Sequence, residues 1–502
     1  MNMRTAIAAG FAAKCLLLLS FATYAQYRMV AEYNADSTLR MEGLVSETGI
    51  REGNWNYFDV QNKRVQAGRF QGGMRTGIWQ AYDDNGRVIL EVTYNEDRTD
   101  GPVRTYYSGG RLKSEGTLEN DIRVGAWKEY HETGKLKSQG NYKNGLKIGT
   151  WKTHHLNGSV ESEEQYKDDV LDGKVKRFSP LYGLPLLEAE YRMGKRYGRY
   201  LEYYNNGQIK RSGIYQDDLE IGEWKEYHDN GTISLEARYE RGQPTGKWTY
   251  YFPYSGIEKE IFFSNGVPDS IYTEYHPDGL KSVVGQFSDG NRTGTWYNYH
   301  ENGKIFSFGE YSENAKKGNW KYFNDRGILI AEGNFEADME QGQWFFFHDN
   351  GILKSIGPYD KGEEHGLWGQ FHENGQLKRE ENWNNGILWN ISDYITAYGD
   401  TLPRGSFSNG SGTILEYYDR GELREEVTYS NGKKQGPAKS YYTDGKISAE
   451  GNYENGQTSG LWKFYHPNGQ IESQGNYRAG QPTGEWLFFS RTGKQVDRIR
   501  YQ

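Results

Sequence analysis

The sequence predicts an all-β chain: an elongated tandem β-hairpin repeat array forming a single-layer twisted antiparallel sheet. Three observations predict it. A 24-residue pattern recurs 19 times, Asn-Gly pairs punctuate it, and aromatic residues return in one phase. The stretch KEYHDNGTISLEARYERGQPTGKW at 225–248, for example, returns as KFYHPNGQIESQGNYRAGQPTGEW at 463–486. Composition agrees. Only 35% of residues are hydrophobic, yet 15% are aromatic, with 64 Gly and 41 Tyr. That is too little aliphatic material for a series of two-layer cores and too aromatic for a disordered chain.

The first element is a leader. Arg4 and Lys14 lie near the start, an apolar run follows from Cys15 to Ala22, and Thr23-Tyr24-Ala25 offers small residues at two cleavage positions. The expected cut follows Ala25, making 1–25 a signal peptide. The one cysteine would leave with it, which excludes disulfides and a thiol nucleophile from the mature chain. Losing Arg4 and Lys14 takes the formal charge from -8 to -10. An acidic exported chain is a poor nucleic-acid binder, and anionic membranes are disfavoured for the same reason.

Residues 26–54 read as a degenerate N-terminal capping repeat, 55–391 as regular repeats, 392–413 as an irregular repeat and 414–502 as regular repeats again. Numbering each repeat from its tryptophan as position 1, Trp fills that position in 12 repeats, and position 16 is aromatic in 18 of 19, Leu118 being the exception. Positions 7 and 8 are Asn-Gly in eight repeats, such as Asn85-Gly86 and Asn468-Gly469. Asn-Gly is the strongest two-residue hairpin signal, because both central residues need positive φ. The expected strands are therefore positions 1–6 and 9–17, with a wider turn between the glycines at positions 19 and 23. Cross-strand partners should then sum to 15, placing Trp at position 1 opposite position 14 and His at position 5 opposite position 10. A glycine at position 14 gives the indole room to cover bare backbone. Within each repeat the correlation is partial: six of the 12 Trp repeats carry Gly there. The opposite face, positions 2, 4, 11 and 13, reads as tyrosine in a charged, solvated field, as in Lys225, Tyr227, Ser234 and Glu236. A β-solenoid with 24-residue coils is the alternative fold, but it needs continuous inward aliphatic ladders and position 10 alone does not supply them.

The pattern Gly-x-Trp-x-x-Tyr-His-x-Asn-Gly-x-Leu/Ile, followed by Gly-x-Tyr-x-x-Gly, resembles the MORN repeat (membrane occupation and recognition nexus). It looks most like the variant form found in exported bacterial proteins, and the resemblance runs from about Gly53 to Tyr501. It implies an extended antiparallel array used for scaffolding or protein contact, and in some eukaryotic members for membrane association. Bacterial proteins of this type are often labelled antitoxins, a label that sits badly with an export signal.

Chemistry is sparse. Eight of the ten histidines fall at position 5, including His131, His300 and His466. Equivalent positions in successive hairpins lie two strands, about 9.6 Å, apart, whereas metal ligands must converge within ~2.1 Å of one ion. The expected role is a flat ring packed across the position-10 aliphatic. Asp-Asn-Gly turns such as 84–86 and 229–231 lack the alternating acids of a calcium loop. No motif nominates a catalytic, cofactor-binding or metal-binding residue. The irregular repeat supplies the one candidate partner-binding cluster: Trp383, Trp389, Tyr394, Tyr398 and Phe407. The expectation is a non-enzymatic exported scaffold, in the periplasm or at the cell surface, binding a protein along an extended β surface. The alternative is an aromatic-stripe module that binds cell-envelope glycan or lipid head groups.

Overall fold

The computed structural model describes residues 27–502. The expected leader, residues 1–25, lies outside the described residues. Among them there is no helix, and every ladder is antiparallel, so the solenoid alternative is excluded. The chain divides into two parts, one ending at Gln243 and one starting at Pro244.

In the first part, 18 strands run from Tyr27–Tyr33 to Ile233–Glu240, each pairing with the next. The result is an open single-layer meander. Residues 26–54 contribute the strands Tyr27–Tyr33 and Leu39–Ser46 and the start of Arg51–Phe58. In the second part the meander runs from Gly246–Tyr251 to Ile387–Ile391. A two-stranded piece follows, Tyr394–Ile395 with Thr401–Leu402. An eight-stranded sheet then runs from Gly412–Tyr417 to Gln495–Tyr501.

The repeat is built from a nine-residue and an eight-residue strand, and the two turns have exchanged the roles expected of them. Met74–Tyr82 and Val88–Asn95 are joined by a five-residue loop at positions 5–9, closed by the Asp83 amide on the Arg87 carbonyl (2.8 Å) and the Gly86 amide on the Asp83 carbonyl (2.9 Å). Only Gly86 of the Asn85-Gly86 pair has positive φ. The two-residue turn lies instead at positions 18–19, where both residues are left-handed: Glu96 and Asp97 (φ 49° and 66°), Asn144 and Gly145 (51° and 82°). That is the hairpin geometry whose twist matches the flanking strands. Strands therefore begin at position 20 or 10, not at 1 or 9.

Register follows. Trp79 faces Val92 and Gln80 faces Glu91, as expected, but a bulge then pairs Tyr82 with Val88, so position 4 meets position 10 and position 5 is left in the loop. The tryptophans do cover glycines, but one strand earlier than expected. A methyl group added at Gly68 would overlap the Trp79 indole, at Gly309 that of Trp320, and at Gly475 that of Trp486. Eleven of the 12 tryptophans cover such a glycine, from Gly43 under Trp55 onward, and Ala237 stands before the twelfth, Trp248. The indole thus bridges two repeats, and each repeat is completed by its neighbour.

Candidate functional site

Three surfaces can carry function: the indole face, the charged face and the interruption near residue 400. On the indole face, Trp79 sits between Phe70 and Tyr94, with ring centroids 5.1 and 6.0 Å away and edge-to-face. Trp320 sits likewise between Tyr311 and Phe335, at 5.3 and 6.1 Å. This is the geometry favoured by ring quadrupoles. Position 21 adds cations: the Arg75 guanidinium lies 4.0 Å from the Tyr94 centroid, and the Lys316 ammonium 4.5 Å from that of Trp320. Nine indole Nε1 groups donate to a backbone carbonyl of the preceding strand at 3.0–3.2 Å. The tryptophans are spent internally, buried against glycine, tyrosine and arginine.

The loop edge is also occupied. His300 Nε2 lies 2.9 Å from the Phe323 carbonyl, and His466 Nε2 2.9 Å from that of Phe489. Where tyrosine replaces histidine it does the same work: the Tyr107 hydroxyl donates to the Tyr130 carbonyl at 2.7 Å. The Asn302 amide donates to the Asp325 carbonyl (2.7 Å), while its oxygen accepts from the Lys304 amide (3.1 Å). Asn-Gly at positions 7–8 is therefore an inter-repeat tie, and the position-5 ring bonds the last carbonyl of the nine-residue strand in the next repeat.

The charged face repeats a Tyr–Glu–Lys arrangement. Lys152 and Glu163 pair at 2.6 Å, Lys225 and Glu236 at 2.7 Å. The hydroxyls of Tyr130 and Tyr465 donate to Glu115 and Glu450 of the preceding repeats, at 2.8 and 2.6 Å. Burial first, and then the carboxylate beside each hydroxyl, push both phenols up to about 12. The unfolded phenol titrates near 10. The folded value is raised, so the stabilisation is complete below pH ~10 and is lost as pH climbs through about 12. Thermal melts at stepped pH should show Tm falling across that window, and Tyr130→Phe with Tyr465→Phe should flatten the fall.

At the interruption the five candidate aromatics separate. Phe407 is fully buried with Leu388, Ile391 and Ile414, and Trp383 packs on that cluster. Tyr394 is buried, its hydroxyl donating to the Tyr417 carbonyl at 3.2 Å. Trp389 is 40% exposed beside Gly410, and Tyr398 is 74% exposed on the turn 396–400. The group forms no single platform. What gathers here instead is charge. Arg379 contacts Glu381 at 2.9 Å and Glu416 through Nη1, while Arg424 lies 3.6 Å and Lys378 3.9 Å from Glu416. Burial holds the Lys378 ammonium below its usual range. Arg379 belongs to Leu377–Asn384 and Glu416 to Gly412–Tyr417, so the pair joins two sheets across a break in the ladder. A readable sign existed: positions 12 and 14, Ser355 and Gly357 one repeat earlier, become Arg379 and Glu381.

The sequence model of the MORN repeat variant matches eleven segments: 75–96, 123–144, 147–168, 196–217, 220–241, 292–312, 340–361, 364–385, 411–431, 434–455 and 459–479. The chain is a MORN-repeat protein. Most matched segments open just after a two-residue turn and close at the next one, so the MORN unit here is the hairpin around the five-residue loop. No curated protein matches this MORN-repeat chain. Among solved structures, that of TcdB2-TccC3 is 13% identical over 94% of this chain and 27% of its own, with a TM-score of 0.14. The Photorhabdus luminescens Tc holotoxin pore carrying TccC3-D651A is 13% identical over 94% and 26%, also with a TM-score of 0.14. The chain spans about a quarter of the length of those chains.

Proposed function

We propose that this MORN-repeat chain is a non-enzymatic, exported scaffold that binds a protein partner along its charged face. The supporting observation is the division of labour among the surfaces. Indoles, loop rings and loop asparagines are committed to neighbouring repeats, which leaves the Tyr–Glu–Lys rows as the repeated, accessible chemistry. Exposed ion pairs of this kind add only about 0–1 kcal/mol each to stability, so their regular recurrence favours recognition over folding. Equivalent groups return every two strands, about 9.6 Å, and a partner with matching spacing gains by multivalency. The burial of the tryptophans favours a protein over a glycan, since a stacking platform must be open to the sugar.

A photo-reactive amino acid placed at Lys128 or Lys439, both exposed on this face, should trap one reproducible protein in living cells. The same probe at the loop residue Arg491 should trap none. Adducts to envelope glycan alone would replace this reading with the glycan alternative. The N-terminal sequence of the recovered protein should begin after Ala25, and an intact Met1 in the cytosol would overturn export.

A further inference from the structure

One stretch of the charged face is unusually apolar. In the first part a run of the central row alternates charge, Lys152, Glu163, Lys176 and Glu188 on four successive strands. Across six strands of the second part, the directly paired row reads Tyr297, Phe308, Lys321, Glu332, Phe345, Ile356. Two apolar pairs thus flank a single ion pair, Lys321 to Glu332 at 3.0 Å. Tyr297 and Phe308 stack at 5.6 Å, and Phe308 stacks on Phe323 at 6.0 Å. None of the six side chains is buried. Apolar residues replacing charge on a solvated face mark an interaction surface.

The order of the row selects the occupant. A two-fold axis lying along the strands, midway between Lys321 and Glu332, reverses the row onto itself. Phe308 then meets Phe345 of a second copy, Tyr297 meets Ile356, and Lys321 meets Glu332 in both directions. The neighbouring row, Tyr299, Ile305, Phe323, Leu329, Phe347 and Leu353, obeys the same operation: Phe323 meets Leu329, Ile305 meets Phe347 and Tyr299 meets Leu353, aromatic on aliphatic each time. A self-complementary patch of this kind is what an isologous dimer requires, and two sheet faces stack at about 10 Å. From this we infer that the patch is a homodimer interface, with a second copy of the chain packed face to face on it. Six strands at ~4.8 Å by strands of about 20 Å cover on the order of 600 Å² per copy, at the lower end of stable interfaces. The dimer therefore dissociates on dilution. It does not depend on the protein partner proposed above.

The test uses the chain from Gln26 to Gln502 in sedimentation velocity over a concentration series. A monomer–dimer equilibrium is expected. Lys321→Glu alone, or Glu332→Lys alone, sets like charges against each other and should weaken self-association about tenfold or more. Mixing the two single variants in equal amounts should restore dimers, now mixed, because each acidic patch meets a basic one. Phe308→Glu with Phe345→Glu should give monomer, with circular dichroism and indole emission unchanged because both positions lie off the indole face. A chain that stays monomeric to its solubility limit would overturn the interface. So would a dimer indifferent to the charge variants, or single variants that do not cross-associate.

Discussion

Gly309→Val is expected to destabilise its part of the array by about 3 kcal/mol or more, the range for overpacking combined with loss of a buried aromatic. The glycine is not held in a left-handed conformation, so the cost is steric: the new side chain occupies the volume of the Trp320 indole. Expelling that indole also breaks its Nε1 bond to the Glu310 carbonyl (3.2 Å) and its edge-to-face contacts with Tyr311 and Phe335. The sharper expectation concerns the double variant. The chain itself contains the alternative solution at Val92 and Val103, which pair directly where glycine and tryptophan are both missing. Adding Trp320→Val to Gly309→Val should therefore recover part of the loss, with a coupling on the order of 1–3 kcal/mol. Hydrogen exchange is the suitable readout, because a nearest-neighbour array opens locally. Protection should drop first in Asn291–Tyr299 through Leu329–Glu336. Additive effects of the two substitutions would contradict the pairing of that glycine with that tryptophan.

Arg379→Met should release the eight-stranded C-terminal sheet from the strands before it. Arg379 is the only guanidinium in contact with both Glu381 and Glu416 among the described residues, and all three side chains are largely buried, 13%, 7% and 13% exposed. Removing one partner of a buried pair leaves uncompensated charge, at a cost of about 3–5 kcal/mol. Here Glu381 would lose its cation, and Glu416 would keep only Arg424 and Lys378, 3.6 and 3.9 Å away. Few backbone bonds span the interruption, among them the Gly410 amide on the Trp389 carbonyl and the Gly432 amide on the Gly410 carbonyl (2.8 and 2.7 Å). Limited proteolysis should then cut within 392–411 at a markedly higher rate, yielding a stable fragment that starts near Gly412. Unchanged cleavage would show that Phe407 and its apolar cluster, rather than the ion network, hold the joint. Replacing Arg379, Glu381 and Glu416 together by Met, Leu and Leu should cost less than Arg379→Met alone, since no buried carboxylate then lacks its guanidinium and only Lys378 and Arg424 lose a partner.

Sequence reasoning read the turns correctly as turns and misassigned their types. Asn-Gly at positions 7–8 carries the letters of a two-residue hairpin, yet Asn302 uses its amide to tie the neighbouring loop and leaves positive φ to the glycine. The true two-residue turns include Glu96-Asp97 and Asp217-Asp218, which hold no glycine and so do not advertise left-handed backbone. Their aspartates are anchored from outside: Asp97 accepts from the Arg75 amide at 2.9 Å and Asp218 from that of Arg196 at 3.0 Å. A bond spanning 22 residues pins a conformation that local propensity would not choose. Of the candidate site, Trp383 and Phe407 were legible as unusual, and Arg379 and Glu381 stand as charges where the repeat before carries Ser355 and Gly357. Their partner Glu416 was not legible, because the contact forms only where the ladder stops and two sheets meet.

The sequence alone determined the period, the strand content, the two faces and the phase of tryptophan and glycine, because each rests on alternation within a single strand or on one repeated letter. Only the tertiary structure decided which neighbour each strand serves. Every strand of a meander has two partners, and letters within one repeat cannot say which of them receives the indole. Shifting the comparison by one strand turns a partial match between Trp and Gly into one with a single exception, Ala237 before Trp248. In nine repeats the indole that crosses to the preceding strand finds both bare backbone for its ring and a carbonyl for its Nε1 beside that glycine.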